Sequence, residues 1–412
     1  MSHLLVLGCI LTGGVLTILK LQCGLAVYVL LVPFLSLGGV LVGEIVSASM
    51  IYSLVLLSAL GFRLLAGGVA PRFSRLAPWL LGFGFVSLAG LLHPGTSWQL
   101  AILPVFYGAL HVLLYSLLSE ESTARRLIAI VSVSVAVLSA LAVAGHVLGW
   151  PSWGAPSTVS SLARPMRLEG PAQNPNALAS VLLFGVPLLL AMVLTARRRF
   201  RKLLWGAGLL VTLVALVLTS SRSAYLGGAV AVGGFALGLG TRQRRALVVV
   251  VVVVAVAVGF YVAAFSGGQF VNRLMVFKND GRLHQLTLVG QIVADEPLFG
   301  VGPGRFREAV AERDPDALVD PHNNLTLVLV EDGLVGFTLF VAALAGAILI
   351  PFRAARRSQG DRRVVLAAAS AAIAGYLVHG LFHVNYRWTL LWLAITIALA
   401  LADAEPKARE VA

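Results

Sequence analysis

Runs of roughly 17 to 25 mostly apolar residues follow one another along this chain, and only short polar turns separate most of them. A helical run of that length matches the ~30 Å hydrocarbon core of a bilayer. Within a bilayer the protein itself must satisfy every backbone N–H and C=O, which leaves helices or closed barrels. The runs are continuous, as in the unbroken valines from Val248 to Val254, and do not alternate with polar residues, so they read as helices. Candidate spans lie near 4–19, 24–42, 45–66, 77–93, 98–118, 125–149, 176–195, 203–219, 223–239, 246–265, 323–350, 364–381 and 388–402. The first two are short. The expectation is therefore an all-α polytopic membrane protein of twelve or thirteen transmembrane helices, one domain over 1–412. The first apolar stretch lacks a basic n-region and runs into further apolar sequence, so it is read as a retained span.

The net charge of +13 raises a nucleic-acid reading, which the placement of the charge excludes. Basic residues cluster in five short loops: Arg72 and Arg75; Arg125 and Arg126; Arg197, Arg198, Arg199, Arg201 and Lys202; Arg242, Arg244 and Arg245; and Arg353, Arg356, Arg357, Arg362 and Arg363. Simple alternation of the spans puts all five on one side, which the positive-inside bias assigns to the cytoplasm. Thirteen spans then leave the N-terminus outside, and twelve leave it inside. Charged residues make up only 12% of the chain, against about 25% in soluble domains. The two cysteines, Cys9 and Cys23, both fall in apolar stretches and indicate neither a disulfide framework nor a cysteine metal site.

Two longer connections face the other, outer side. One covers 150–175 and is rich in Pro, Ser and Gly. The other covers 266–322, about 55 residues, a length that points to function. Polar segments cluster at this side. Thr219-Ser220-Ser221-Arg222-Ser223-Ala224-Tyr225 interrupts a long apolar stretch. An arginine at mid-bilayer costs on the order of 3 kcal/mol, so Arg222 belongs at the outer end of two spans. There it is either a snorkelling turn residue or a guanidinium that grips a phosphate. Arg167, Gly170 and Asn174-Pro175-Asn176 read equally as a helix entry. Asp295-Glu296-Pro297-Leu298-Phe299-Gly300-Val301-Gly302-Pro303-Gly304 fits no nucleotide-binding glycine pattern, but its glycines force turns and allow close backbone approach. Asp320-Pro321-His322-Asn323-Asn324, followed by Glu331, Gly333 and Gly336, announces a helix start that His322 or Asn323 could cap. His322 could equally take up a proton near neutral pH. Asp314-Pro315-Asp316 has metal-binding D-x-D spacing but sits in an acidic run that reads as solvated. His379 and His383, i and i+4 on one helix face, suit a ligand pair or, better, a polar lining of the bundle.

Taken in order, these segments resemble the Wzy-C superfamily of O-antigen ligases and O-antigen polymerases. The order is Arg167 then Asn174-Pro175-Asn176-Ala177-Leu178-Ala179, then Ser220-Ser221-Arg222-Ser223-Ala224-Tyr225, then a long outer loop with an arginine and the glycine motif, then His322-Asn323 with Glu331, Gly333 and Gly336. The resemblance implies a GT-C-type helical glycosyltransferase of the bacterial inner membrane with its site on the periplasmic face. It implies transfer of a glycan from undecaprenyl pyrophosphate to a sugar hydroxyl of lipid A–core or, in a polymerase, to another lipid-linked glycan. On that reading Arg222 and Arg282 clamp the pyrophosphate, with Arg273 an alternative to Arg282, and His322 is the general base. Arg167, Asn176, Ser221, Tyr225, Asn323, Gly302 and Gly304 are substrate-binding candidates. The 266–322 loop carries part of the site, and neither a cofactor nor a metal is expected. A lipid or polysaccharide transporter is the rival from another class, and it is disfavoured because the polar residues gather at span ends and not at a midplane site between repeated halves.

Overall fold

The structure is a computed structural model, and it describes residues 12–17, 20–36, 40–42, 46–66, 70–118, 120–150, 167–172, 174–265, 281–317 and 320–404. The helices are α1 (Leu21–Leu35), α2 (Ala48–Leu65), α3 (Ala77–Ala89), α4 (Trp98–Leu117), α5 (Glu121–Val147), α6 (Pro175–Thr195), α7 (Arg199–Leu218), α8 (Arg222–Gly238), α9 (Thr241–Phe265), α10 (Arg282–Asp295), α11 (Phe306–Ala311), α12 (Asn324–Arg357), α13 (Gly360–His379) and α14 (Thr389–Asp403). Among the described residues, α4, α5, α6, α7 and α12 are long and apolar enough to cross a membrane. The protein is thus a helical multi-pass membrane protein.

Most of the expected apolar segments are helices whose ends lie within a few residues of those expected, and the segment expected over 4–19 lies largely outside the described residues. The span expected over 24–42 is shorter: α1 stops at Leu35, and Val40–Val42 pairs antiparallel with Val46–Ser47. Glycines at 38, 39 and 43 punctuate that stretch, and apolarity alone does not distinguish a helix from a short extended pair. The 266–322 connection also contains two helices, α10 and α11, of which α10 buries Leu288, Val289 and Ile292 on one face.

Helix α6 forms the centre, with nearly every residue from Ala177 to Met192 buried. Around it, α8 and α13 pack most extensively of all helix pairs. The small residues explain this: a Cβ on Gly227 would stand 2.6 Å from the carbonyl oxygen of Gly375. Close approach of that kind is how helices associate where burial of apolar surface gives no driving force. Side-chain hydrogen bonds add further ties, as Ser139 to Thr212 at 2.9 Å and His111 between Ser74 (2.6 Å) and Thr396 (2.9 Å). The outward faces of α7 and α9 remain apolar, with Leu203, Leu204, Val248, Val252 and Val253 exposed, as a lipid-facing surface requires.

The basic loops meet at one end of the bundle. Arg362 pairs with Glu121 and donates to the carbonyls of Leu401 and Ala404; Arg363 donates to Gly238 O at 2.7 Å; and Arg356 donates to Leu237 O at 3.2 Å. Arg72 lies 5.6 Å over the ring of Tyr115, whose hydroxyl bonds Asp403. These arginines occupy the carbonyl ends of helices, where a cation is favoured. Helices α6, α8, α12 and α14 all begin at the opposite end, and so does the polar constellation described next.

Candidate active site

The site is assembled from helix beginnings. Asn174 caps α6, its side chain accepting from the backbone N–H of Asn176 (2.9 Å) and Ala177 (3.2 Å), with Pro175 in the first turn. This fixes Asn176, whose Oδ1 accepts from both Arg167 (3.2 Å) and the buried Ser221 hydroxyl (3.0 Å). Arg167 also donates through Nε to Thr219 O at 2.7 Å, and Leu168 N bonds Leu218 O. The first outer segment is therefore clasped to the polar island between α7 and α8. Tyr225 fastens the same turn from below, its hydroxyl donating to Val217 O at 2.8 Å. Ser220, at φ 49°, is the one non-glycine residue with positive φ among those described. This sharp turn starts α8 at Arg222, whose side chain is exposed. Three of the sequence-selected residues, Arg167, Asn176 and Ser221, are thus in direct contact and stand beside Arg222.

The histidine segment joins this group through Ser180 of α6. Ser180 donates to Asn176 O (3.1 Å) and lies 3.2 Å from His379 Nδ1. His379 closes α13, and the chain then turns. His383 therefore lies in the turn beyond the helix and not on the α13 face that i, i+4 spacing indicates. The two rings still meet edge to face, with centroids 5.6 Å apart. The turn is bound to the start of α12 by a reciprocal amide pair: Asn324 Nδ2 donates to Asn385 Oδ1 (2.8 Å), and Asn385 N donates to Asn324 Oδ1 (2.9 Å). Asn324 N also bonds Gly380 O. His322 and Asn323 precede this anchor directly. Asn323 caps α12, its side chain accepting from Leu325 N at 2.8 Å, so its carbonyl oxygen has a structural task. Arg282 opens α10 after Gly281 at φ 74°, but its side chain lies outside the described residues, as does Arg273.

The glycine motif packs against a break in α12. Helix α12 breaks at Gly333 (φ 63°, ψ −169°), which leaves backbone groups without helical partners. The 297–302 segment supplies them. Val301 N donates to Val330 O (2.9 Å) and Gly302 N to Glu331 O (3.0 Å), while Leu334 N donates to Pro297 O (2.8 Å) and Val335 N to Leu298 O (3.1 Å). Glycines are needed on both sides of this contact, because a Cβ on Gly333 would lie 2.4 Å from the Leu298 carbonyl. Gly302 and Gly304, at φ 94° and 89°, seat the rest of the motif against Thr96 and Ser97 before α4. Gly333→Ala is expected to destabilise the protein by more than about 2 kcal/mol, combining a glycine-only backbone conformation with a clash against main chain. An unchanged unfolding midpoint in detergent would count against this account of the break.

Beneath the motif, Glu331 is 2% exposed and paired with Arg387 at 2.5 Å. The sequence reading missed Arg387, although a lone arginine between two apolar runs is itself a signal. It also missed Asn385. In the outer segment, Asp314 accepts from His284 (2.7 Å) and from Asp316 N (3.0 Å), and these bonds hold its carboxyl below the usual carboxylate range. Both oxygens of Asp314 are therefore engaged in shaping the turn.

Apolar outer faces, basic residues at one end and a convergent Arg–Asn–Ser–His constellation at the other define a membrane protein with its polar residues gathered at the two ends of its bundle. Residues 207–341 match the family model described as O-Antigen ligase, a likeness to that superfamily over about a third of the chain. The matched stretch holds Ser221, Arg222, Tyr225, Arg282, Gly302, Gly304, His322 and Asn323; Arg167, Asn176, His379 and His383 lie outside it. No curated protein matches the chain.

Proposed function

We propose that the protein transfers a glycan from undecaprenyl pyrophosphate to a sugar hydroxyl of lipid A–core, at the periplasmic face of the bacterial inner membrane, in a GT-C-type fold. The observation that carries this reading is the convergence of the Arg167–Asn176–Ser221 clasp, Arg222 and the His322 segment at the end opposite the basic loops. The positive-inside bias assigns the basic end to the cytoplasm.

The chemistry follows from charge. The leaving pyrophosphate gains negative charge as the glycosidic bond breaks. Arg222 and Arg282 stabilise that charge, and the positive ends of α6 and α8 act in the same sense. Two guanidiniums perform the task a metal would otherwise perform. His322 accepts the proton of the attacking hydroxyl, and attack from the face opposite the pyrophosphate inverts the anomeric centre. Arg167, Asn176, Ser221 and Tyr225 hold Arg222 and the donor phosphates in place. Asn323, Gly302 and Gly304 shape the acceptor side through their backbone.

The test is transfer by purified protein in liposomes holding undecaprenyl-pyrophosphate glycan, with and without lipid A–core, in the presence of chelator. Glycan on lipid A–core is the expected product. A ladder of longer lipid-linked glycan without that acceptor makes the protein a polymerase instead. Dependence on added metal overturns the arginine mechanism, and translocation of the lipid without transfer overturns the enzyme reading.

A further inference from the structure

Two buried imidazole nitrogens stand out where α13 ends and its turn meets the start of α12. His379 is 0% exposed, and its Nε2 has no hydrogen-bond partner. Its Nδ1 is engaged by Ser180 Oγ at 3.2 Å, which leaves Nε2 as the bare nitrogen of the ring. His383 Nε2 is likewise buried and without a partner. A buried polar atom left unmet is costly, and native proteins retain such atoms chiefly where function needs them. Here the two rings are in contact at 5.6 Å between centroids, and the indole of Trp388 closes the other side of His383 at 5.7 Å. The Asn324–Asn385 pair holds their turn against the residues that follow His322.

We propose that His383, backed by His379, is a positioning residue for His322: its imidazole receives an N–H of His322 once His322 has taken the acceptor's proton. This rests on the reading of His322 as the base. In the step, the acceptor O–H bond breaks and its oxygen bonds the anomeric carbon. The bond from that carbon to the pyrophosphate oxygen breaks, and its electron pair leaves with the pyrophosphate. The proton stays on His322 until product departs and returns it to water. A base held by a third group is the arrangement that proton-abstracting sites require.

The titratable groups around His383 fit this role. His379 faces it from α13, and His322 acts on it electrostatically from the segment before α12; Arg387, in the same turn, is committed to Glu331. Burial, with His322 adding to it, lowers the His383 pKa from 6.5 to about 4, so His383 is neutral at neutral pH and can accept. The sign for stability is the reverse of a salt-bridged histidine: as pH falls below 6.5, the unfolded chain takes the proton first and unfolding is favoured.

The liposome transfer assay, run from about pH 5 to 9, reads the acid limb of the rate profile, which reports the base. His383→Phe removes the acceptor. It is expected to lower kcat on the order of tenfold or more, to leave KM for lipid A–core nearly unchanged, and to move the acid limb to lower pH. His383→Gln keeps an acceptor oxygen and is expected to restore most of the rate with the wild-type limb. An unmoved limb in the Phe variant, or equal behaviour of Phe and Gln, overturns the proposal. If Phe cannot be accommodated in the fold, the Gln variant decides alone, since a shifted limb there has the same consequence. His322→Ala separates the two levels. Full activity of that variant removes the base reading itself, whereas an inactive His322→Ala beside an unshifted His383→Phe removes only the positioning role.

Discussion

Arg387→Ala is expected to destabilise the protein by about 3–5 kcal/mol, the range for stripping the partner from a buried charge. Glu331 is 2% exposed and takes the Arg387 guanidinium at 2.5 Å, together with the backbone N–H groups of Gly304 and Phe306. Beside it Asp332, also 2% exposed, bonds Ser87 and leaves Oδ1 without a partner. Removal of the Arg387 guanidinium therefore strands the Glu331 carboxyl group in the interior. Arg387 has further structural ties, to Tyr386 Oη at 3.1 Å and from the Tyr107 hydroxyl to its carbonyl. The measurement is the unfolding midpoint of the variant in detergent. The companion pair Glu331→Gln with Arg387→Met removes the charges together and is expected to recover most of the loss, because well-packed neutral groups replace buried ion pairs at little cost. If Arg387→Ala unfolds with the wild-type midpoint, the pair is not what holds the glycine motif in place.

His322→Ala is expected to lower the transfer rate by 10²- to 10⁴-fold, the usual worth of a positioned general base. The structural cost should be slight. The α12 cap is Asn323, not His322, and the anchor to the 380–388 turn is made by Asn324. Loss of rate with an unchanged unfolding midpoint is thus the expected pair of results. Retention of full rate means that another group accepts the proton. Equal loss of rate and of folded protein means that His322 acts through packing.

The helices of the apolar segments were legible because length and continuous apolarity suffice to suggest a membrane helix. Their polar ends were less so. The span expected over 203–219 is α7, Arg199–Leu218, because hydropathy does not register the basic first turn that continues a helix past the apolar region. The site was legible as a set of segments and not as a set of contacts. Arg167 reaches Thr219 across 52 positions, and no local pattern announces that pairing. Alternating glycines at 300, 302 and 304 did signal a close backbone approach. What approaches is the break at Gly333, and the sequence marks Glu331, Gly333 and Gly336 without indicating that the helix is interrupted there. His379 and His383 drew notice through helical spacing, yet the helix ends between them, and it is the Asn324–Asn385 pair that ties their turn to the start of α12.

The exchange of hydrogen bonds at Gly333 also carries an order of assembly. A ribosome makes residues 297–302 before Val330, Glu331, Leu334 and Val335, so the strip of main chain that completes the interrupted helix is in hand when that helix enters the bilayer. Glu331 has no such advantage. Its guanidinium partner is 56 positions further along and arrives two spans later. During synthesis the carboxyl group must therefore wait, neutral or at the water boundary, and the last helical pair to be made locks the earlier one in place.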